Sequence, residues 1–191
     1  MNIVHVEKLT EQPWLNLFAT HYENRGRPGR WIFVSRHDQP YGPLVTDAVV
    51  IVPIWRPKNG PARLVMIREY RVPVGNYILG LPAGLVEKGE PVEEAIRREM
   101  REETGFRVKS IHQVTQPLFS SSGLTDESAA LAFIEVEDDD SQPPAPDHGE
   151  EIEVVTLDWE GVDRVCKDRS LLVDVKAWAI LLMYQRLGKI D

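Results

Sequence analysis

Midway along the chain, the stretch GLVEKGEPVEEAIRREMREETGF runs from Gly84 to Phe106 and leaves few folds open. Pro91 suits the first helical position, where a missing N–H costs nothing, and Gly105 suits the left-handed residue after a last turn. These marks predict a helix over about Pro91 to Thr104. Val92, Ala95, Ile96 and Met100 fall at helical spacing, so one stripe of that helix faces a core. Strong β runs flank it: TDAVVIVPIW and ARLVMIREYRVPVG before, VKSIHQVTQPLFSS, ESAALAFIEVE and IEVVTLDW after. A closing helix is expected from LLVDVKAWAILLMYQRL, with Leu171, Val175, Trp178, Leu182 and Leu187 at roughly helical spacing. Strands on both sides of one central helix, then a terminal helix, indicate an α/β (α+β) sandwich of mixed sheets.

The polar face of the central helix carries the chemistry. Glu99, Glu102 and Glu103 stand at i, i+3 and i+4 and share one stripe. Carboxylates so close repel one another, and a hard divalent cation relieves that repulsion through the oxygen ligands Mg²⁺ and Mn²⁺ prefer. A solvated face laced with ion pairs is the other reading of such a helix. Upstream, Leu81-Pro82-Ala83-Gly84 ends an apolar run sharply, and Gly84 and Gly89 allow the loop to turn tightly beside the helix.

With the helix and loop taken together, the segment resembles the Nudix box, G-x5-E-x7-R-E-U-x-E-E-x-G-U, where U is bulky and apolar. Gly84, Glu90, Arg98, Glu99, Met100, Glu102, Glu103, Gly105 and Phe106 meet every position. Average residue usage puts a chance match at on the order of one in a billion per start position. The resemblance implies a Nudix-type α/β/α sandwich and a metal-dependent hydrolase, using Mg²⁺ or alternatively Mn²⁺, that splits the pyrophosphate of a nucleoside diphosphate joined to another group. It implies Glu99 and Glu103 as chief metal ligands, Glu102 in the same shell with a catalytic share, and the Ala83 carbonyl as a further ligand. Arg98 would orient a metal-binding glutamate, and Gly84 and Glu90 would support the arrangement. The catalytic base falls on a late loop in this branch. There Glu150 matches a late ligand or base, Glu151 stands next in line, and His148 is a weaker base candidate.

Outside the box the resemblance is to the ADP-ribose pyrophosphatase and nucleotide-sugar branch, whose N-terminal strands often swap across a homodimer. WLNLFATHYEN and WIFVSR, joined by a turn at RGRPGR, predict a hairpin within an N-terminal β region, residues 1–44, ahead of a catalytic domain at 45–191. Arg68 and Arg71 bracket Tyr70 just before the box, and arginine suits bidentate phosphate recognition. Either they bind substrate or they belong to a charged strand surface. Trp31 and Phe33 are candidates for stacking on a nucleobase, or ordinary packing residues. In the later loop this branch carries a proline where Ser121-Ser122-Gly123-Leu124-Thr125-Asp126-Glu127 has Ser122, and Gly80 stands where a glutamate is common. Ser122 points to a substrate range wider than ADP-ribose, and Gly80 leaves one contact fewer. Other nucleotide sugars and FAD compete with it, and a catalytically silent nucleotide sensor is the alternative of another class.

The resemblance implies a small nucleoside diphosphate derivative as partner, and composition bears on the other partner classes. A net charge of −8 argues against coating nucleic acid. The single cysteine, Cys166, allows no internal disulfide and sits in an apolar-periodic stretch as an expected buried bystander. MNIVHVEKLT lacks a signal-peptide core, and no apolar run approaches the ~20 residues that span a bilayer, so a cytoplasmic protein is expected. The proline-rich acidic stretch DDDSQPPAPDHGEE predicts a loop.

Overall fold

A computed structural model describes residues 1–139, 144, 145, 149 and 151–190. In chain order its strands are β1 (Asn2–Lys8), β2 (Asn16–Asn24), β3 (Arg27–Ser35), β4 (Ala48–Trp55), β5 (Arg63–Arg71), β6 (Asn76–Gly80), β7 (Ala83–Leu85), β8 (Arg107–Val114), β9 (Leu118–Phe119), β10 (Ser128–Glu137) and β11 (Ile152–Leu157). The helices are α1 (Val92–Glu99), α2 (Trp159–Lys167) and α3 (Val175–Leu187). The chain forms two compact units, residues 1–47 with 117–129 and residues 48–116 with 130–191.

In the first unit β1, β2 and β3 make an antiparallel sheet in that order. The β2–β3 hairpin closes on two residues, Arg25 (φ 53°) and Gly26 (φ 74°), and positive φ at both matches the twist of the flanking strands. The turn is thus shorter than the RGRPGR read from the sequence. Pro28 and Gly29 already belong to β3, opposite Glu23 and Tyr22. Pro28 is tolerated because β3 ends the sheet. Gly29 is needed because the Tyr22 ring covers it, and a Cβ there would lie 2.3 Å from Tyr22 Cζ. Phe18 and Phe33 are buried with their rings 5.8 Å apart. The loop after β9 is laid along β3. The Val34 N–H donates to the Leu124 carbonyl (2.9 Å), Ser35 Oγ to Asp126 Oδ2 (2.9 Å) and Arg36 Nε to Glu127 Oε2 (2.8 Å).

In the second unit the sheet runs β11-β5-β4-β10-β8, with β6 added to β5 and β7 to β4. β4 and β5 pair only at Ile54–Leu64 and Trp55–Arg63. Beyond that point they part, β5 continuing with β6 and β4 with β7. The Pro82 carbonyl accepts from the Ile51 N–H at 2.8 Å, just ahead of β7. α1 packs on β4 and β7. Of the predicted apolar stripe, Ala95, Ile96 and Met100 are fully buried with Val49, Ile51, Val65, Ala132 and Ile134, while Val92 is only partly buried against them. Each fully buried Val, Ile or Met among them contributes about 1.5–3 kcal/mol on burial.

The helix begins one residue later than the sequence marks suggest. Pro91 is the capping residue (φ −65°, ψ 140°), and its carbonyl accepts from the Glu94 and Ala95 N–H groups. After Glu99 the backbone widens into one π-helical turn, Met100–Thr104, and ends on Gly105 in the left-handed region (φ 72°).

α2 is absent from the sequence reading above. Its signal was present in Asp158, whose carboxylate caps the helix by accepting the Gly161 N–H. Cys166 lies on α2, half-buried rather than buried, with burial raising its thiol pKa. α3 buries Ala177, Ile180, Leu181 and Tyr184, while Leu171, Val175 and Leu187 are exposed and Trp178 and Leu182 are more than a third exposed. The chosen stripe was the wrong face, because α3 is apolar nearly all round and spacing alone does not select a side. Among the described residues no helix is long and apolar enough to cross a membrane.

Candidate active site

The end of α1 and the turn that follows gather the motif acids around one arginine. Arg98 Nε and Nη2 form a fork on Glu90, 3.0 Å to each oxygen. Its Nη1 donates to Glu99 Oε1 (2.7 Å) and Glu102 Oε2 (3.1 Å), and Nη2 also reaches the Leu85 carbonyl (2.8 Å). All five guanidinium N–H groups are therefore engaged. Lysine, with three donors at a point, would not reproduce that fork. Contact with Glu90 and then Glu99 raises the Arg98 pKa against the opposing effect of burial. The same fork depresses the Glu90 carboxyl below its ordinary range. Glu90 also accepts the Glu87 N–H at 2.9 Å, which closes the loop ahead of the helix.

Glu103 is buried and accepts the Ala83 N–H at 3.0 Å. It is thus the amide of Ala83 that touches an acid. Gly84 lies in β7, paired with Val49, and is not the loop hinge expected from the sequence. Its requirement is steric: a Cβ there would sit 1.9 Å from Glu99 Oε1 and 2.0 Å from its Cδ. Of the three acids on the stripe, Glu99 and Glu103 are buried and Glu102 is 40% exposed at its side chain.

These acids offer only hard carboxylate oxygens, which suit Mg²⁺ or Mn²⁺ in kind. Glu99 and Glu102 turn to Arg98 and Glu103 to an amide. Among the described residues no three His, Cys, Asp or Glu side chains close into a metal-holding group. The donor chemistry fits a divalent cation, and Arg98 and the Ala83 amide hold the acids in place.

At the β5–β6–β11 edge, Arg68 Cζ lies 4.2 Å from the Tyr77 ring centroid and its Nη1 is 3.1 Å from Glu153. Arg71 pairs with Glu69 at 2.9 Å. Glu69 is buried, and the sequence reading passed over it; strand alternation, which sets it on the face opposite Arg68 and Tyr70, was the available signal. The Tyr77 hydroxyl donates to Glu151, and that bond is the first cause of its raised pKa. Glu151 is therefore brought to this edge, while Glu150 and His148 lie outside the described residues.

The remaining sequence candidates, Trp31, Phe33 and Ser122, belong to the first unit, where all three line one cavity of about 830 Å³. Tyr22, Tyr41 and Phe119 add aromatic wall. Trp31 is half exposed, its indole N–H donating to the Gly123 carbonyl at 3.1 Å. Phe33 is mostly core, packed between Phe18 and Tyr41.

Comparison with known proteins places this geometry in context. Residues 45–175 match the NUDIX domain. The chain is 35% identical over 145 residues to a provisionally named nudix hydrolase of Caenorhabditis elegans, covering 74% of this chain and 63% of that one. It is 26% identical over 182 residues to the ADP-sugar pyrophosphatase of Mus musculus, covering 91% and 82%. It is 29% identical over 135 residues to the ADP-ribose pyrophosphatase of Saccharomyces cerevisiae, covering 70% and 57%. The chain thus spans under two thirds of the length of the worm and yeast relatives. In fold it matches the crystal structure of an ADP compounds hydrolase, with a TM-score of 0.72 and 22% identity over 97% of this chain and 92% of that one.

Proposed function

Since the chain belongs to the Nudix family, we propose that it hydrolyses the pyrophosphate bond of a nucleoside diphosphate linked to another group, ADP-ribose or another ADP-sugar foremost. The products are a nucleoside monophosphate and a sugar phosphate. The observation that carries the reading is the Arg98 network, in which one guanidinium sets Glu90, Glu99 and Glu102 while the bare Cα of Gly84 admits the Glu99 carboxylate.

Glu99, Glu103 and Glu102, with the Ala83 carbonyl, are the groups that would hold Mg²⁺ or alternatively Mn²⁺. Such an ion screens the diphosphate and lowers the pKa of the attacking water. The chain's own part is placement. Arg98 fixes the rotamers of Glu99 and Glu102 through charge-assisted bonds, and the Ala83 amide fixes Glu103. Glu102, the most exposed of the three, is assigned a share in handling the water proton, with Glu150 and then Glu151 as the late-loop candidates for the base. Arg68 and Arg71 carry pairs with Glu153 and Glu69 that substrate phosphate would replace. Trp31 and Phe33 are assigned to the base and Ser122 to the wall of the same cavity.

ADP compounds come first because the mouse and yeast relatives bear those names. Ser122 in place of proline, and the open space around Gly80, where a Cβ would meet nothing within 4 Å, support a range broader than ADP-ribose. The assembly we assign is a cytoplasmic homodimer joined through the strands of residues 1–44, since a small sheet stands poorly alone.

The test is to incubate the full chain with Mg²⁺ and, separately, ADP-ribose, ADP-glucose, GDP-mannose, UDP-glucose and FAD, reading released monophosphates. Release of AMP and sugar phosphate from ADP-sugars is expected. Binding without release would favour a sensor, and cleavage of FAD alone would move the substrate to a dinucleotide.

A further inference from the structure

We propose that Pro144 and Ala145 are positioning residues for the acids that end α1, a role that rests on the pyrophosphohydrolase reading above. A helix leaves its last carbonyls without donors of its own. A continuing helix would aim the Phe106 N–H at the Glu102 carbonyl. Here that N–H donates to Thr104 Oγ1 at 3.2 Å instead, and the Gly105 N–H goes to Arg101. The Glu102 carbonyl is met from outside the helix, by the Ala145 N–H at 2.9 Å, from the segment between β10 and β11.

Pro144, next to it, seats on the glycine that ends the turn. A Cβ on Gly105 would lie 3.1 Å from both Cδ and Cγ of Pro144. The glycine suits its φ of 72°, and a Cβ there would also press on the proline above it. A π-helical turn is an infrequent form, found often at functional sites. This one is held at the peptide of Glu102, whose side chain is 40% exposed and bonded to Arg98 at 3.1 Å. Fixing that peptide fixes the direction in which Glu102 leaves the backbone, and Glu103 follows on the next residue. Pro144 and Ala145 meet this turn at Gly105 and at the Glu102 main-chain carbonyl. They act through the backbone.

Ala145→Pro deletes the donor, and Ala145→Ser keeps it. Pro144→Ala keeps the donor and removes the packing on Gly105, and it decides the matter if the proline variant does not fold. On the full-length protein, Mn²⁺ binding without substrate is read by electron paramagnetic resonance, alongside the melting temperature and kcat and KM on ADP-ribose. Loss of an outer contact of this kind lowers metal affinity and activity about ten- to a hundredfold. Ala145→Pro should weaken Mn²⁺ binding and lower kcat by about tenfold, the low end of that range, with KM changed by less than about twofold. Pro144→Ala should shift both in the same direction by less, and Ala145→Ser should match the parent. Folded Ala145→Pro and Pro144→Ala variants that bind Mn²⁺ and turn over like the parent overturn the role, whatever their melting temperatures. A parent that cleaves no ADP-sugar, with the Mn²⁺ shift intact, overturns the functional reading and leaves the positioning role standing.

Discussion

Replacing Gly84 by alanine tests the site at its tightest point. The added methyl would begin 1.9 Å from Glu99 Oε1, 2.0 Å from Cδ and 2.3 Å from Oε2, so all three carboxylate atoms are in the way. An ordinary carbon contact needs the carboxylate to withdraw by about 1.5 Å. Glu99 is held against that withdrawal by Arg98 Nη1 at 2.7 Å. Gly84 does not have positive φ, so the backbone itself accepts alanine. The strain therefore falls on Glu99. A misplacement of about 1 Å at a reacting centre costs on the order of a hundredfold in rate, or about 2.7 kcal/mol of transition-state stabilisation. Gly84→Ala should lower kcat on ADP-ribose with Mg²⁺ by about that factor, and overpacking should cost about 1–3 kcal/mol of stability. Removing Glu99 as well relieves the clash, so Gly84→Ala with Glu99→Ala should melt higher than Gly84→Ala alone while remaining inactive. A Gly84→Ala enzyme within about threefold of the parent, or a double variant no more stable than the single one, would refute the steric argument.

Other outcomes follow from the same geometry. Glu103→Gln keeps the size and the Ala83 contact but removes a charge, and should cut turnover by orders of magnitude with little change in melting temperature; near-normal steady-state rates would sink the ligand assignment. Arg98→Lys should lose about ten- to a hundredfold in kcat, since one ammonium cannot keep five directed bonds, and a kinetic comparison at saturating Mg²⁺ decides it. Because Arg98 depresses the Glu90 carboxyl, their pair contributes stability that is complete above the ordinary carboxylate pKa of about 4.3 and is lost as pH falls through the depressed folded value. Glu90→Gln should therefore flatten the acid limb of a melting-temperature-against-pH curve, and an unchanged limb would count against the pair. Light scattering at micromolar concentration should give twice the 21.7 kDa chain mass, and a stable monomer would contradict the dimer.

The parts of the site that were legible from sequence are those fixed by local spacing. Glu90 to Gly105 is one loop and one helix, so the repeat of the helix alone brings Arg98 and Glu102 together four residues apart. Contacts that depend on tertiary closure were not legible. Gly84 looked like a hinge because its neighbour, the Glu99 carboxylate, is fifteen positions away and arrives only when β7 pairs with β4. Pro28 and Gly29 looked like a turn because nothing local announces that Tyr22 would cover the glycine. The face of α3 was misassigned for the opposite reason: its sequence offers apolar residues on every side, and only packing chooses Ala177, Ile180, Leu181 and Tyr184. For α2 the local mark is Asp158, whose carboxylate caps a helix of nine residues, and the sequence reading does not use it.

The saturation of Arg98 bears on how this protein would be handled at the bench. A single internal guanidinium already balances part of the charge on Glu90, Glu99 and Glu102, so chain collapse need not wait for an ion from solution. Folding and cation capture should then be separable, unlike the zinc finger in which they are one. A chelator should silence the enzyme without melting it, and activity should return on adding back the ion with no refolding step. The ion would then act on stability only by mass action, raising the melting temperature gradually with its concentration.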